Sequence, residues 1–357
     1  MATFGEVLKE IQDVQSQRQR EGVADPIRRK YIAQLHQLTG RNVVVYYSAF
    51  LHRQGPEHFL TVQINDEDKH GFMAAFAGLD FDRGLDLVLH SPGGDIAATE
   101  SIIDYLRSKF STNIRAIVPQ ISMSGGTMIA LAGREIVMGR HSNLGPIDPQ
   151  LGGRPAIAIL EEFERARNDI AANPNNAFLW QPILQQYVPT LLSQAEHAIK
   201  WSQEIGRKTL IEGMFKDDTQ ADDKASAIVD FLSSHNVHRA HGRHLHRNEL
   251  RAKGLNIADL EADPALQDAV LSVHHACMLT VGNYNANKLV ENHNGIAHMK
   301  VVGIAVQMPN IPIQVPVPMP GAPVQPPSPV MPQPKLPTKP SLWQRLRIAL
   351  RLLILGK

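Results

Sequence analysis

Residues 114–133 read I-R-A-I-V-P-Q-I-S-M-S-G-G-T-M-I-A-L-A-G. The run at 114–118 is short and rich in β-branched residues, as a buried strand requires, whereas the stretch from Gly125 onward suits a buried helix. The chain must turn between them, at Ser122–Ser124. A strand that ends in a turn and opens a helix is the repeating unit of an α/β sheet. Outward from it the same alternation recurs. N-V-V-V-Y-Y-S-A-F from Asn42 predicts a strand, 67–78 a helix, L-D-L-V-L-H (85–90) a strand, 95–109 a helix and E-I-V-M-G (135–139) a strand. Such alternation implies parallel strand pairs joined by covering helices, an α/β domain. Apolar residues at helical spacing (Phe4, Val7, Leu8, Ile11, Val14) predict an N-terminal helical region over 1–39, and residues 156 to about 282 read as mostly helical.

The 357 residues are 43% hydrophobic and 20% charged, enough to bury a core of their own. A net charge of +1 excludes a protein whose main work is to neutralise nucleic-acid phosphates. The single cysteine, Cys277, excludes an intramolecular disulfide and points to a reducing, cytoplasmic compartment. Acidic residues arrive early (Glu6, Glu10, Asp13), which predicts no signal peptide, and no apolar run approaches the roughly 18 residues of a membrane span.

Prolines crowd the segment 307–340, which predicts an extended linker of polyproline type and ends the folded domain at residue 306. The tail 341–357, S-L-W-Q-R-L-R-I-A-L-R-L-L-I-L-G-K, holds four basic residues and no acidic one. At about 100° per residue it sets Arg345, Arg347 and Arg351 on one face, and Trp343, Leu346, Leu350 and Leu353 on the other. That composition suits a helix lying in a membrane interface, on the inner face of a membrane, or docking on a partner.

Two segments carry chemistry. H-S-P-G-G-D (90–95) follows a buried strand, and its Gly93-Gly94 pair lets backbone N–H groups face an approaching carbonyl as an oxyanion hole. P-Q-I-S-M-S-G-G-T (119–127) displays Ser124 at a helix start, where unpaired N–H groups and the helix dipole favour a developing oxyanion. Ser124 as a plain N-cap is the structural alternative, and Ser122 the competing nucleophile. The histidines of 235–246 (His235, His238, His241, His244, His246) lack an H-E-x-x-H pattern, and Gly242 interrupts their spacing, so no metal is expected. Glu161, Glu162 and Glu164 read as a solvated helix face. Dinucleotide and phosphate-loop fingerprints are missing, so no cofactor is expected.

Together, L-H-S-P-G-G-D-I-A-A-T-E-S-I, I-V-P-Q-I-S-M-S-G-G-T-M-I-A and E-I-V-M-G-R-H-S-N-L-G-P-I-D-P-Q-L resemble the serine dehydrogenase proteinase family. That family lies within the ClpP/crotonase superfamily and is related to the signal-peptide-peptidase-A type of serine peptidase. The resemblance implies a ClpP/crotonase-like sheet, with 40–306 as the peptidase domain. It implies a protein or peptide substrate and a homo-oligomer. Ser124 would then attack the scissile carbonyl, with Gly93, Gly94 and Gly125 around the oxyanion. Family members usually carry alanine where Gly125 stands. Clp-type peptidases place a histidine in the segment corresponding to S-N-L-G-P-I-D-P-Q, where this chain has Asp148. The signal-peptide-peptidase relatives use a lysine base, and a lysine must be desolvated to act near neutral pH. Lys200, flanked by Ile199 and Trp201, is the first candidate, with Lys109 in reserve; His241 and His244 are the alternative bases. A crotonase-like acyl-CoA enzyme and a catalytically silent membrane scaffold are the rival readings.

Overall fold

The computed structural model describes residues 4–18 and 24–301. The proline-rich linker (307–340) and the tail with Trp343, Arg345, Leu346, Arg347, Leu350, Arg351 and Leu353 lie outside the described residues. A seven-stranded sheet forms the centre, built from β1 (Asn42–Ser48), β2 (Leu85–His90), β3 (Ile114–Val118), β4 (Glu135–Met138), β5 (Ile257–Asp259), β6 (Ala286–Asn292) and β7 (Ala297–Val301). Its order is β5-β4-β3-β2-β1-β6-β7. The strands from β5 to β1 run parallel, and β6 and β7 are added antiparallel. The fold is therefore the expected α/β type. Strand β5 is only three residues long, and β6 and β7 carry too many polar residues (Asn287, Lys288, Glu291, His298, Lys300) to show in the hydrophobic pattern.

Both faces of the sheet are buried, which explains the apolar runs at Val43–Tyr47 of β1 and Leu87–Leu89 of β2. On one face Val44, Tyr46, Leu87, Leu89, Ala116 and Met138 meet the helices 96–110 and 125–131. On the other, Val43, Val45, Val88, Ile117 and Val137 meet Ile27, Ile32, Leu35, Val270 and Val273. The two N-terminal helices (Phe4–Arg18 and Ala24–Thr39) pack on the helix Pro264–Asn283 and share its core cluster. Each fully buried Leu, Ile or Val side chain contributes about 1.5–3 kcal/mol. Cys277 lies in this cluster with its thiol pushed up to about 12 by burial, which leaves it inert. Among the described residues no helix is long and apolar enough to cross a membrane.

At the end of β2, His90 is fully buried and stacks on Tyr47, with Nδ1 3.0 Å from the Ser48 carbonyl. Burial holds its pKa down at about 4 against an ordinary 6.5. Between those values the unfolded chain binds a proton that the folded chain refuses, so stability present above pH 6.5 is lost as pH falls toward 4. This one group accounts for about 3 kcal/mol of that loss. Calorimetric melts at pH 7.5 and 4.5 should show a smaller acid-induced fall in Tm for His90→Asn than for wild type. An equal fall in both proteins would contradict the assignment.

Candidate active site

A small second sheet assembles the site. Ile121–Ser122 pairs parallel with Asn143–Leu144, which pairs antiparallel with Leu245–His246. Ser91 bridges to Ser122, and Ile64 bridges to Gly94. Segments remote in sequence thereby converge at the carboxyl ends of β2 and β3, where open α/β sheets bind ligands.

Gly93 has φ +90°, and a Cβ on it would stand 2.7 Å from Ser124 Cβ and 2.8 Å from the Met123 carbonyl oxygen. Only glycine lets the two turns approach this closely. The Gly93 N–H donates to Ser91 Oγ at 3.2 Å, so this residue makes room and does not face the cavity with its amide. Gly94 and Gly125 differ. Among the described residues their N–H groups meet no acceptor, and Gly94 N lies 3.5 Å from where a Gly125 Cβ would stand. Both glycines line the cavity that Ser124 lines, so their amides are candidates for an oxyanion there.

Ser124 itself adopts φ 51°, ψ −117°, a conformation that costs an ordinary residue about 1–3 kcal/mol. Its hydroxyl caps no helix N–H, so the N-cap alternative does not describe it. The turn is held by backbone bonds on both sides, Gly126 N to Met123 O (2.7 Å) and Met128 N to Ser124 O (3.1 Å). Strain at a serine whose hydroxyl makes no structural bond is the geometry of a nucleophile elbow. Ser122, by contrast, is fully buried and does not reach the cavity.

Ser124, Gly94, Gly125 and His241 line one cavity of about 910 Å³. Nδ1 of His241 lies 2.8 Å from Oδ1 of Asp148, a carboxylate only 2% exposed. Gln150 Nε2 donates to the other Asp148 oxygen at 3.0 Å, and His235 Nδ1 stands 3.5 Å from it. A carboxylate can only accept, so in the neutral ring this contact puts the hydrogen on Nδ1 and leaves the Nε2 lone pair unengaged by Asp148.

The other candidates are elsewhere. Lys200 is a correction: its side chain is 77% exposed and stands 3.9 Å from Glu204. Ala198 and Ser202 of the same helix (Leu191–Glu212) line the cavity, and a residue midway between them points to the opposite side. Ile199 and Trp201 do not shield it from solvent. Lys109 lies near the far end of the helix Ile96–Phe110, over the Phe81 and Tyr105 rings. His244 is exposed and does not line the cavity, because Leu245 takes the inward place in the strand. His238 is buried against the Phe231 carbonyl. Among the described residues no group of three His, Cys, Asp or Glu is placed to hold a metal. On this site geometry, Lys200→Ala should keep the wild-type rate of reaction with a fluorophosphonate to within about twofold. A loss of about a hundredfold would return the lysine to the site.

A mostly parallel sheet that presents a glycine turn and a strained serine turn to one cavity is the architecture of a ClpP-like α/β protein. Residues 16–259 match the profile of the ClpP-like SDH-type serine proteinases, and the chain belongs to that family. Two uncharacterized proteins of Methanocaldococcus jannaschii are similar to it. One is 36% identical over 143 residues, covering 39% of this chain and 47% of its own length. The other is 39% identical over 113 residues, covering 32% and 38%. The chain thus spans less than half the length of these curated relatives. No solved structure matches it.

Proposed function

We propose that the protein is a serine peptidase in which Ser124 is the nucleophile, His241 the general base and Asp148 the group that orients it. The observation that carries this reading is the cavity shared by Ser124 and a histidine whose Nδ1 is held by a buried carboxylate. His241 Nε2 accepts the Ser124 proton as Oγ adds to the scissile carbonyl. The oxyanion is received by the N–H groups of Gly94 and Gly125. The imidazolium then protonates the leaving amine, leaving an acyl-Ser124. Water, deprotonated by the same histidine, adds to the acyl carbonyl and releases the carboxylic acid.

The resemblance to Clp-type peptidases implies a histidine in the segment corresponding to 142–150. Here that segment supplies the aspartate, and the histidine comes from a later loop, in the order Ser, Asp, His. Ile96, Met128, Ile147 and Leu151 line the cavity and suit an apolar side chain of a protein or peptide substrate. The strained and uncapped Ser124 favours acyl transfer over an acyl-CoA hydratase, which needs no serine nucleophile. On the same reading the tail 341–357 holds the enzyme at a membrane surface, and further copies of the chain are its partners. The test is a fluorophosphonate reaction followed by mass spectrometry of the digested protein. A phosphonyl group on the Ser124 peptide is the expected result. An adduct on another serine, or none, would overturn the proposal.

A further inference from the structure

The oxyanion turn does not stand alone. Ile64 N–H donates to the Gly93 carbonyl at 2.8 Å, and the Ile64 carbonyl accepts from Asp95 N–H at 2.9 Å. Residue 64 thus grips the turn on both sides of Gly94 and leaves the Gly94 N–H to the cavity. The segment that carries Ile64 is tied down from the sheet. Ser48 Oγ donates to the Val62 carbonyl (2.7 Å), Lys288 Nζ to the Gln63 carbonyl (2.7 Å), and Asn65 N–H to an Asp68 oxygen (3.0 Å). Lys288 on β6 and Asp68 are ion-paired with side chains 2% and 5% exposed, and Tyr46 on β1 donates its hydroxyl to Asp68 at 2.7 Å. One buried ion pair therefore binds the backbone immediately before and immediately after Ile64.

We infer that Lys288 and Asp68 are positioning residues of the oxyanion hole: through Gln63, Asn65 and Ile64 they set the Gly94 N–H at its height beside Ser124. Neither residue lines the cavity. Burying two charges costs several kcal/mol, and apolar side chains of similar volume fill such a place at no loss of stability. What apolar residues cannot do is donate to the Gln63 carbonyl and accept from Asn65 N–H. Burial disfavours the charge on Lys288, and the Asp68 carboxylate offsets part of that penalty.

The inference rests on the reading of Ser124 as nucleophile, and its test keeps the two apart. The full chain carrying Lys288→Met with Asp68→Asn removes both charges, so no unpaired charge is left in the core. With p-nitrophenyl acetate as the probe, kcat should fall about a hundredfold with KM within about threefold, because the lost geometry matters to the transition state alone. Amide exchange of Ile64 and Asp95 should accelerate at least about tenfold, with the global melting temperature retained. A folded double variant with wild-type kcat overturns the inference. If the wild type shows no Ser124-dependent turnover, the peptidase reading falls separately, and the two exchange rates decide whether the pair holds the turn. Should the double variant not fold, Tyr46→Phe, which removes only the hydroxyl bond to Asp68, asks the same question. Its kcat should fall about three- to tenfold at unchanged KM, and an unchanged kcat counts against the inference.

Discussion

Replacing Ser124 by alanine is expected to abolish reaction with a fluorophosphonate, and replacing His241 by alanine to slow it by about 10⁴-fold or more. A serine hydroxyl is a poor nucleophile until a base takes its proton as the new bond forms. On the proposed reading Asp148, 2.8 Å from His241 Nδ1, orients the imidazole for that task and leaves Nε2 to receive the proton. Asp148→Asn tests the orienting role. The amide's NH₂ can turn toward Nδ1 and leave the proton on Nε2, so a loss of about 10⁴-fold is expected with the fold intact. His244→Ala serves as the control from the same loop and should react at the wild-type rate, since its side chain lies in solvent. Rates from stopped-time labelling, read beside circular dichroism, decide the matter. A His241→Ala protein that reacts as fast as wild type would show that the base is another residue.

The second large effect belongs to Gly94→Ala, for which a fall of about 10²–10³-fold in kcat is expected. The added Cβ would stand 2.8 Å from Ile64 Cα and nearer still to the Ile64 nitrogen and oxygen. These are backbone atoms tied to the sheet, so they cannot swing aside as a side chain does. The turn must move instead, and the Gly94 N–H moves with it. Gly125→Ala makes a sharp comparison. There the Cβ would meet Thr99 Oγ1, which donates to the Asp95 carbonyl, at 2.6 Å and Ile64 Cδ1 at 3.3 Å, so side-chain atoms and not a tied-down backbone must give way. A change within about threefold is expected, in keeping with a family that usually carries alanine at that place. Equal losses in the two variants would mean that the glycines matter as loop flexibility and that no oxyanion is held by Gly94.

Much of this site is legible before any coordinates, because its parts are local. A strand end followed by Pro-Gly-Gly must turn, and a serine followed by two glycines at a buried helix start must be displayed there. Asp95 shows the same locality, capping the helix Ile96–Phe110 through Ala98 N–H at 2.8 Å. Gly93 departs from the sequence expectation in one respect. Its amide turns back to Ser91, and no sequence pattern reports which of two adjacent glycine amides faces a cavity.

The chain by itself determined the α/β alternation, the paired glycine and serine turns and the family, since each depends on residues within a few positions of one another. The proposed base rests on tertiary structure alone. In sequence Lys200 is the first candidate and His241 an alternative, but the rotation of the helix Leu191–Glu212 sends Ala198 and Ser202 inward and Lys200 to solvent. The pairing of Leu245–His246 with Asn143–Leu144 carries His241 to Asp148 across 93 positions of chain. The clamp of Lys288 and Asp68 on the oxyanion turn joins residues still farther apart. Such contacts form only when the sheet has closed, because burial and long-range strand register, not local preference, set them.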